Sequence, residues 1–178
     1  MRLKEVELED EKIVLEMYKE YMSAELLPGI DRFEGIRDFE EIDKCTFKEW
    51  INNLEKNKDE KNLPESYSPH TLYLAMNDDE ELVGAIGLRW KKVPALMTFG
   101  GLIGYSIRPS QRGKGYASQM LKLALGKFKD SKMKKVLITC KDFNIASKRV
   151  IEKNGGIFEN IYENEDDGYN YLRYWIEI

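Results

Sequence analysis

The chain has 178 residues, 42% of them apolar and 34% charged, with a net charge of −4. This fits one domain, residues 1–178, with its own core. It excludes the basic composition of a nucleic-acid binder, and no apolar run approaches the ~20 residues of a membrane span. The start, Met1-Arg2-Leu3-Lys4-Glu5, is charged and has no apolar leader, so the expectation is a cytoplasmic protein without membrane or nucleic-acid partners. Acid dominates residues 1–80 and base dominates 108–153, so the second half suits an anionic ligand. Cys45 and Cys140 lack C-x-x-C spacing and His70 is the one histidine, so no metal is expected and the thiols read as free.

Arg2 to Leu8 alternates and predicts a first strand. Glu9 to Leu27 predicts a helix with Ile13, Met17, Met22 and Leu26 near one face, ended by Pro28-Gly29. Residues 31–42 read as a weaker helix or structured loop. Thr46-Phe47-Lys48-Glu49 is a capping box opening a helix that turns Phe47, Trp50, Ile51 and Leu54 inward. Lys56 to Pro69 is polar and proline-broken, hence loop. Strands follow at His70 to Met76, Leu82 to Trp90 and Gly101 to Arg108, the first two joined at Asn77-Asp78-Asp79-Glu80. Gly115 to Phe128 is an amphipathic helix and Lys135 to Cys140 a buried-type strand. Asn144 to Lys153 is a helix stopped by Gly155-Gly156. Ile157 to Tyr162 and Tyr169 to Ile178 form a last hairpin. The order predicts a mixed α/β (α+β) domain: a central mixed twisted sheet of about six or seven strands flanked by helices, with a parallel strand–helix–strand unit over residues 101–140.

The chemistry is concentrated between Gly104 and Ser118. Pro109 turns the chain out of a strand, Gly113 and Gly115 follow, and a helix begins at once. Glycines there permit positive φ and close ligand approach, and the first helical N–H groups point outward with partial positive charge. A phosphate or pyrophosphate suits that place, with Arg112 and Lys114 beside it. Two nucleotide patterns fail. Gly115 follows Gly113-Lys114 where a P-loop needs Ser or Thr, and Ser118 stands where a dinucleotide fingerprint needs its third glycine.

The pattern R-x-x-G-x-A is present as Arg112, Gly115 and Ala117, preceded by Ile107-Arg108-Pro109. With Asn144-Ile145-Ala146-Ser147 and Glu152-Lys153-Asn154-Gly155-Gly156 downstream, it resembles the GNAT superfamily of acyl-CoA-dependent N-acyltransferases. The resemblance covers residue 70 to the end; the N-terminal third matches only as strand plus helices. It implies a GNAT-like fold and acetyl-CoA as co-substrate, with the acetyl group passed directly to a primary amine of a small molecule or peptide. The implied cofactor-binding residues are Ile107, Arg108, Arg112, Gly113, Lys114, Gly115, Tyr116, Ala117, Ser118, Asn144 and Ser147. Two strands splay in this family and the pantetheine lies between them.

The catalytic groups depart from the pattern. Many relatives carry a tyrosine seven residues after the motif Asn, a place held here by Ile151, and Leu102 to Ile107 contains no carboxylate. Tyr105 is the titratable side chain in the middle of that strand and the candidate catalytic residue, against the plainer reading of a packed aromatic. Glu20, Glu25, Asp31 and Glu34 fall on the family's acceptor side, against the reading of a solvated helix face. His70 reads as an exposed turn residue, and Lys148 and Arg149 as 3′-phosphate contacts or surface charges. The alternative function is an acyl-CoA-binding or regulatory module without turnover. Exposed strand edges and the aromatic C-terminal strand leave room for a homodimer.

Overall fold

The computed structural model describes residues 1–178 apart from Leu27. The strands are β1 (Arg2–Glu5), β2 (His70–Met76), β3 (Leu82–Arg89), β4 (Ile103–Ile107), β5 (Lys135–Lys141), β6 (Ile157–Asn164) and β7 (Tyr169–Glu177). The α-helices are α1 (Glu11–Ser23), α2 (Phe47–Lys56), α3 (Tyr116–Phe128) and α4 (Ile145–Lys153). β1 and α1 are shorter than their sequence patterns, and β4 covers Ile103–Ile107 of the expected Gly101 to Arg108. β1 stops at Glu5 because Glu7 donates its amide to the Asp10 carboxylate at 2.9 Å and starts a 3-10 turn. α1 stops at Ser23, where Arg32 donates to the carbonyls of Met22 at 3.0 Å and Ala24 at 3.3 Å. That guanidinium ties up the helix end before Pro28 is reached; the predicted last residue, Leu27, lies outside the described residues. The capping box forms as read: Thr46 Oγ1 accepts from the Glu49 amide, and Glu49 accepts from the Thr46 amide at 2.9 Å.

Among the described residues, seven strands make two sheets, β1-β2-β3-β4 and β5-β7-β6, and every ladder is antiparallel. The parallel ladder expected within residues 101–140 is therefore replaced by a split. The Leu102 amide donates to the Leu137 carbonyl at 2.7 Å, with both side chains fully buried. Beyond that point β4 stays with β3 and β5 stays with β7, and the twist of each sheet carries the two apart.

β2 and β3 are buried on both faces, as strands covered from two sides must be. On one face α1, α2 and the segment around Phe33 and Phe39 pack on Leu72, Leu74 and Ala85. On the other, Met120, Leu121, Ala124 and Phe128 of α3 pack on Ile86 and Leu88, and the same core continues to Val136, Ile138 and Ile151. β6 is an edge strand, exposed along most of its length. Close approach explains one set of glycines: a Cβ on Gly104 would stand 2.5 Å from the Gly35 carbonyl, and one on Gly35 would stand 2.5 Å from the Tyr105 amide nitrogen. Glycine at both places lets residues 29–36 lie directly on β4.

Candidate active site

The split between β4 and β5 has the residue 108–118 loop and α4 on one side and residues 29–36 on the other. Arg112 to Gly115 is exposed. Gly113 and Gly115 take φ of 78° and 81°, and Gly115 is the residue before α3. That left-handed conformation disfavours any side chain. A Cβ on either glycine would meet nothing within 4 Å, so the backbone here faces open space. α3 begins without a side-chain cap and without an acidic residue in its first turn. Its first amides and the positive end of its dipole are thus presented to that space, an arrangement that fits an anion such as a pyrophosphate.

The other sequence candidates take distinct places. Arg112 Nε donates to the Ile107 carbonyl at 3.4 Å, and Lys114 Nζ to Gln111 at 2.8 Å. Tyr116 OH accepts from Asn77 at 3.4 Å, and Ser118 Oγ accepts from Asn154 at 3.0 Å, which ties the start of α3 to the end of α4. Ala117 lies between them in the first turn of α3, half-buried. Arg108 is engaged within the fold. Its amide donates to Val83 at 2.9 Å, and its guanidinium pairs with Glu20 of α1 at 2.5–2.6 Å. Glu20 also accepts from the Ser110 amide at 3.3 Å. Burial pushes the Glu20 carboxyl up, but the hydrogen bonds from Arg108 and Ser110 outweigh it and leave the group below its ordinary 4.5. Arg108 and Glu20 thus set the exit of β4, roles that the sequence did not assign to them.

On the α4 side, Asn144 accepts from the Ser147 amide at 3.0 Å and caps the helix. Tyr105 crosses from β4 so that its hydroxyl lies 2.9 Å from Ser147 Oγ. Burial holds the Tyr105 phenol well above 10, so it is protonated at neutral pH. Ile151, seven residues after Asn144, is fully buried. Cys140 is buried and its thiol is pushed up to about 12, chiefly by desolvation.

On the opposite side, Tyr21 of α1 donates to Ser106 of β4 at 2.9 Å. Lys141, almost wholly buried, donates to the Gly29 carbonyl at 2.7 Å, lies 3.4 Å from Glu34 and stands 4.4 Å from the centre of the Tyr169 ring. Thr139 donates to the Phe99 carbonyl at 2.6 Å, and Phe99 packs on Tyr162 and Tyr171. His70 is not an exposed turn residue: its ring nitrogen lies 2.9 Å from Asp38, which draws it partly under the loop. Lys148 stands 4.0 Å from Glu152, its i,i+4 neighbour, and Arg149 is exposed. Among the described residues, no group of three or more His, Cys, Asp or Glu is arranged to hold a metal, and no helix is long and apolar enough to cross a membrane.

Comparison with known proteins agrees with this geometry. A family model described as an acetyltransferase (GNAT) domain matches residues 1–157. No curated protein matches the chain. Among solved structures, the ribosomal L7/L12 alpha-N-protein acetyltransferase RimL in complex with coenzyme A superposes with a TM-score of 0.66 at 16% identity, over 99% of this chain and 93% of the other. A spermidine N-acetyltransferase SpeG chimera from Vibrio cholerae and hSSAT gives 0.62 at 16%, over 99% and 96%. An acetyltransferase from Salmonella typhimurium that modifies the N-terminal serine of L7/L12 gives 0.64 at 16%, over 99% and 94%. At such identities these structures speak to the fold, and the family model speaks to membership. With a match over most of its length, a split two-sheet architecture and an open glycine loop at the head of α3, this chain belongs to the GNAT acetyltransferase family.

Proposed function

We propose that the protein transfers an acetyl group from acetyl-CoA directly to a primary amine of a small molecule or peptide, without a covalent enzyme intermediate, and does so in the cytoplasm. The observation that carries this reading is the uncapped N-terminus of α3 behind the exposed loop Arg112 to Gly115, at the mouth of the split. Amides of residues 113–118 would hold the pyrophosphate, with Arg112 and Lys114 supplying charge. The β4 edge near Ile107 would pair with the pantetheine arm as an added strand, and Asn144 and Ser147 would line its other side. Tyr105 and Ser147 share a hydrogen bond on this side, and the protonated phenol would serve as the proton donor to the departing sulfur. The acceptors of two of the similar enzymes, spermidine and an N-terminal serine, both carry primary amines and set the first panel to try.

Acetyl-CoA at about 100 times its Kd should raise the melting temperature by roughly 5–10 °C, while ATP at the same concentration should not. Gly115→Trp should abolish that rise while the protein still melts cooperatively at a lower temperature: a Cβ there meets open space, so the ring would project in front of the α3 amides, and the positive φ adds a local strain of about 1–2 kcal/mol. An unchanged rise in the variant refutes the loop assignment. A module that binds without turnover is the competing reading, favoured by the burial of Ile151 at the tyrosine position. It predicts the same thermal shift with no acceptor-dependent thiol release.

A further inference from the structure

The acetyl-transfer reading needs a base on the acceptor side, and β4 offers no carboxylate. The described residues put one within reach from another element. Residues 29–36 lie against β4 at Gly104 and Tyr105, where the glycines permit contact. Glu34 is the residue just before that contact. Its Oε2 accepts from the Asp31 amide at 3.2 Å and lies 3.4 Å from Lys141 Nζ on β5. The carboxylate thus spans from the segment that rests on β4 to the end of β5, across the opened part of the split. Both contacts use Oε2; Oε1 has no hydrogen-bond partner among the described residues, and the side chain remains 28% exposed. One oxygen is anchored and the other is free.

We infer that Glu34 is the catalytic base that takes the proton from the acceptor amine, working through Oε1 while Lys141 and Asp31 fix Oε2. This rests on the acetyl-transfer reading above. Tyr105 and Ser147 meet on the α4 side of β4, and Glu34 precedes the glycine that rests on Gly104 and Tyr105 from the segment 29–36, so the two groups approach the same stretch of strand from different elements. An ammonium acceptor gives its first proton to Oε1. The neutral nitrogen attacks the thioester carbonyl, the N–C bond forms, and the C–S bond breaks with its electron pair leaving on sulfur. The nitrogen loses a second proton and the sulfur gains one, through the Tyr105–Ser147 pair. The proton on Glu34 passes to solvent at its exposed edge, so the net products are amide, thiol and one proton.

The charged and titratable groups around Glu34 are Asp31 on its own segment, Lys141 and Cys140 on β5, and Tyr171 on β7. Burial pushes the Glu34 carboxyl up and Lys141 opposes this, with the net result above 4.5. A more basic carboxylate is a better proton acceptor near neutral pH.

The test compares wild type, Glu34→Gln and Glu34→Asp, using acetyl-CoA and the best acceptor from a panel of primary amines that includes spermidine and a Ser-initiated peptide. Glu34→Gln should lower kcat by about 10²-fold or more and keep the acetyl-CoA thermal shift. Its activity should climb with pH toward the acceptor's own pKa, and Glu34→Asp should restore part of kcat at neutral pH. A Glu34→Gln enzyme within about threefold of wild type overturns the assignment and leaves acetyl transfer standing, as does loss of the acetyl-CoA shift together with activity. Should Glu34→Gln not fold, Glu34→Asp decides: the same pH profile as wild type at reduced kcat supports the base, and unchanged kcat refutes it. No acceptor-dependent thiol release from wild type sinks the acetyl-transfer reading and this inference with it.

Discussion

Glu20 and Glu34 sit in the same third of the chain, yet the fold gives them opposite settings. Glu20 is held below 4.5, the net of burial and stronger hydrogen bonds from Arg108 and Ser110. A depressed carboxyl contributes stability that is present above the unfolded pKa and lost as pH falls through the folded one. The melting-temperature gap between wild type and Glu20→Gln should therefore be full at pH 7 and close as pH drops below about 4. Because Glu20 fixes Arg108 and Ser110 at the exit of β4, Glu20→Gln should also raise KM for acetyl-CoA more than it lowers kcat; a lowered kcat with unchanged KM contradicts the positioning role. Glu34 runs the other way. Its carboxyl is raised by burial, so its charge disfavours the folded state as pH climbs past 4.5, and Glu34→Gln should gain stability relative to wild type over that rise. Urea melts of both variants at two pH values check both signs.

At the scale of elements, α4 shows why the usual tyrosine is missing. Ile151 points into the core, and a Cβ on Gly156 would already stand 2.5 Å from Ile151 Cγ2. Ile151→Tyr should overpack that site and cost about 1–3 kcal/mol without raising kcat. A stable, faster variant contradicts this packing. Features set by near neighbours were legible in the sequence: the Thr46–Glu49 capping box, the hairpin around Asn77, and the positive-φ glycines ahead of α3. The pairing of Glu20 with Arg108 was not, because 88 residues separate them. Lys141 was also hidden. In sequence it is a charged residue after an apolar strand, and only the fold of residues 29–34 over β5 buries it against a carbonyl, a carboxylate and an aromatic face. The setting of His70 is hidden for the same reason, since Asp38 comes to it from a distant segment.

Over the whole molecule, the sequence order predicted a single sheet with a parallel pair at its centre, and the structure opens that pair into a split. Strand order alone cannot distinguish the two outcomes; the difference lies in how far each strand follows its own antiparallel partner. The split sets the α3 head, α4 and Tyr105 on one side and Glu34, Lys141, Tyr169 and Tyr171 on the other, so that a thioester held between the sheets would be reached from both. The direct test is continuous measurement of free thiol with acetyl-CoA and a primary-amine panel. Release should depend on an added acceptor, saturate with acetyl-CoA and be lost in Gly115→Trp. Acetyl-CoA binding with no acceptor-dependent release across the panel, or release that survives in Gly115→Trp, would contradict it.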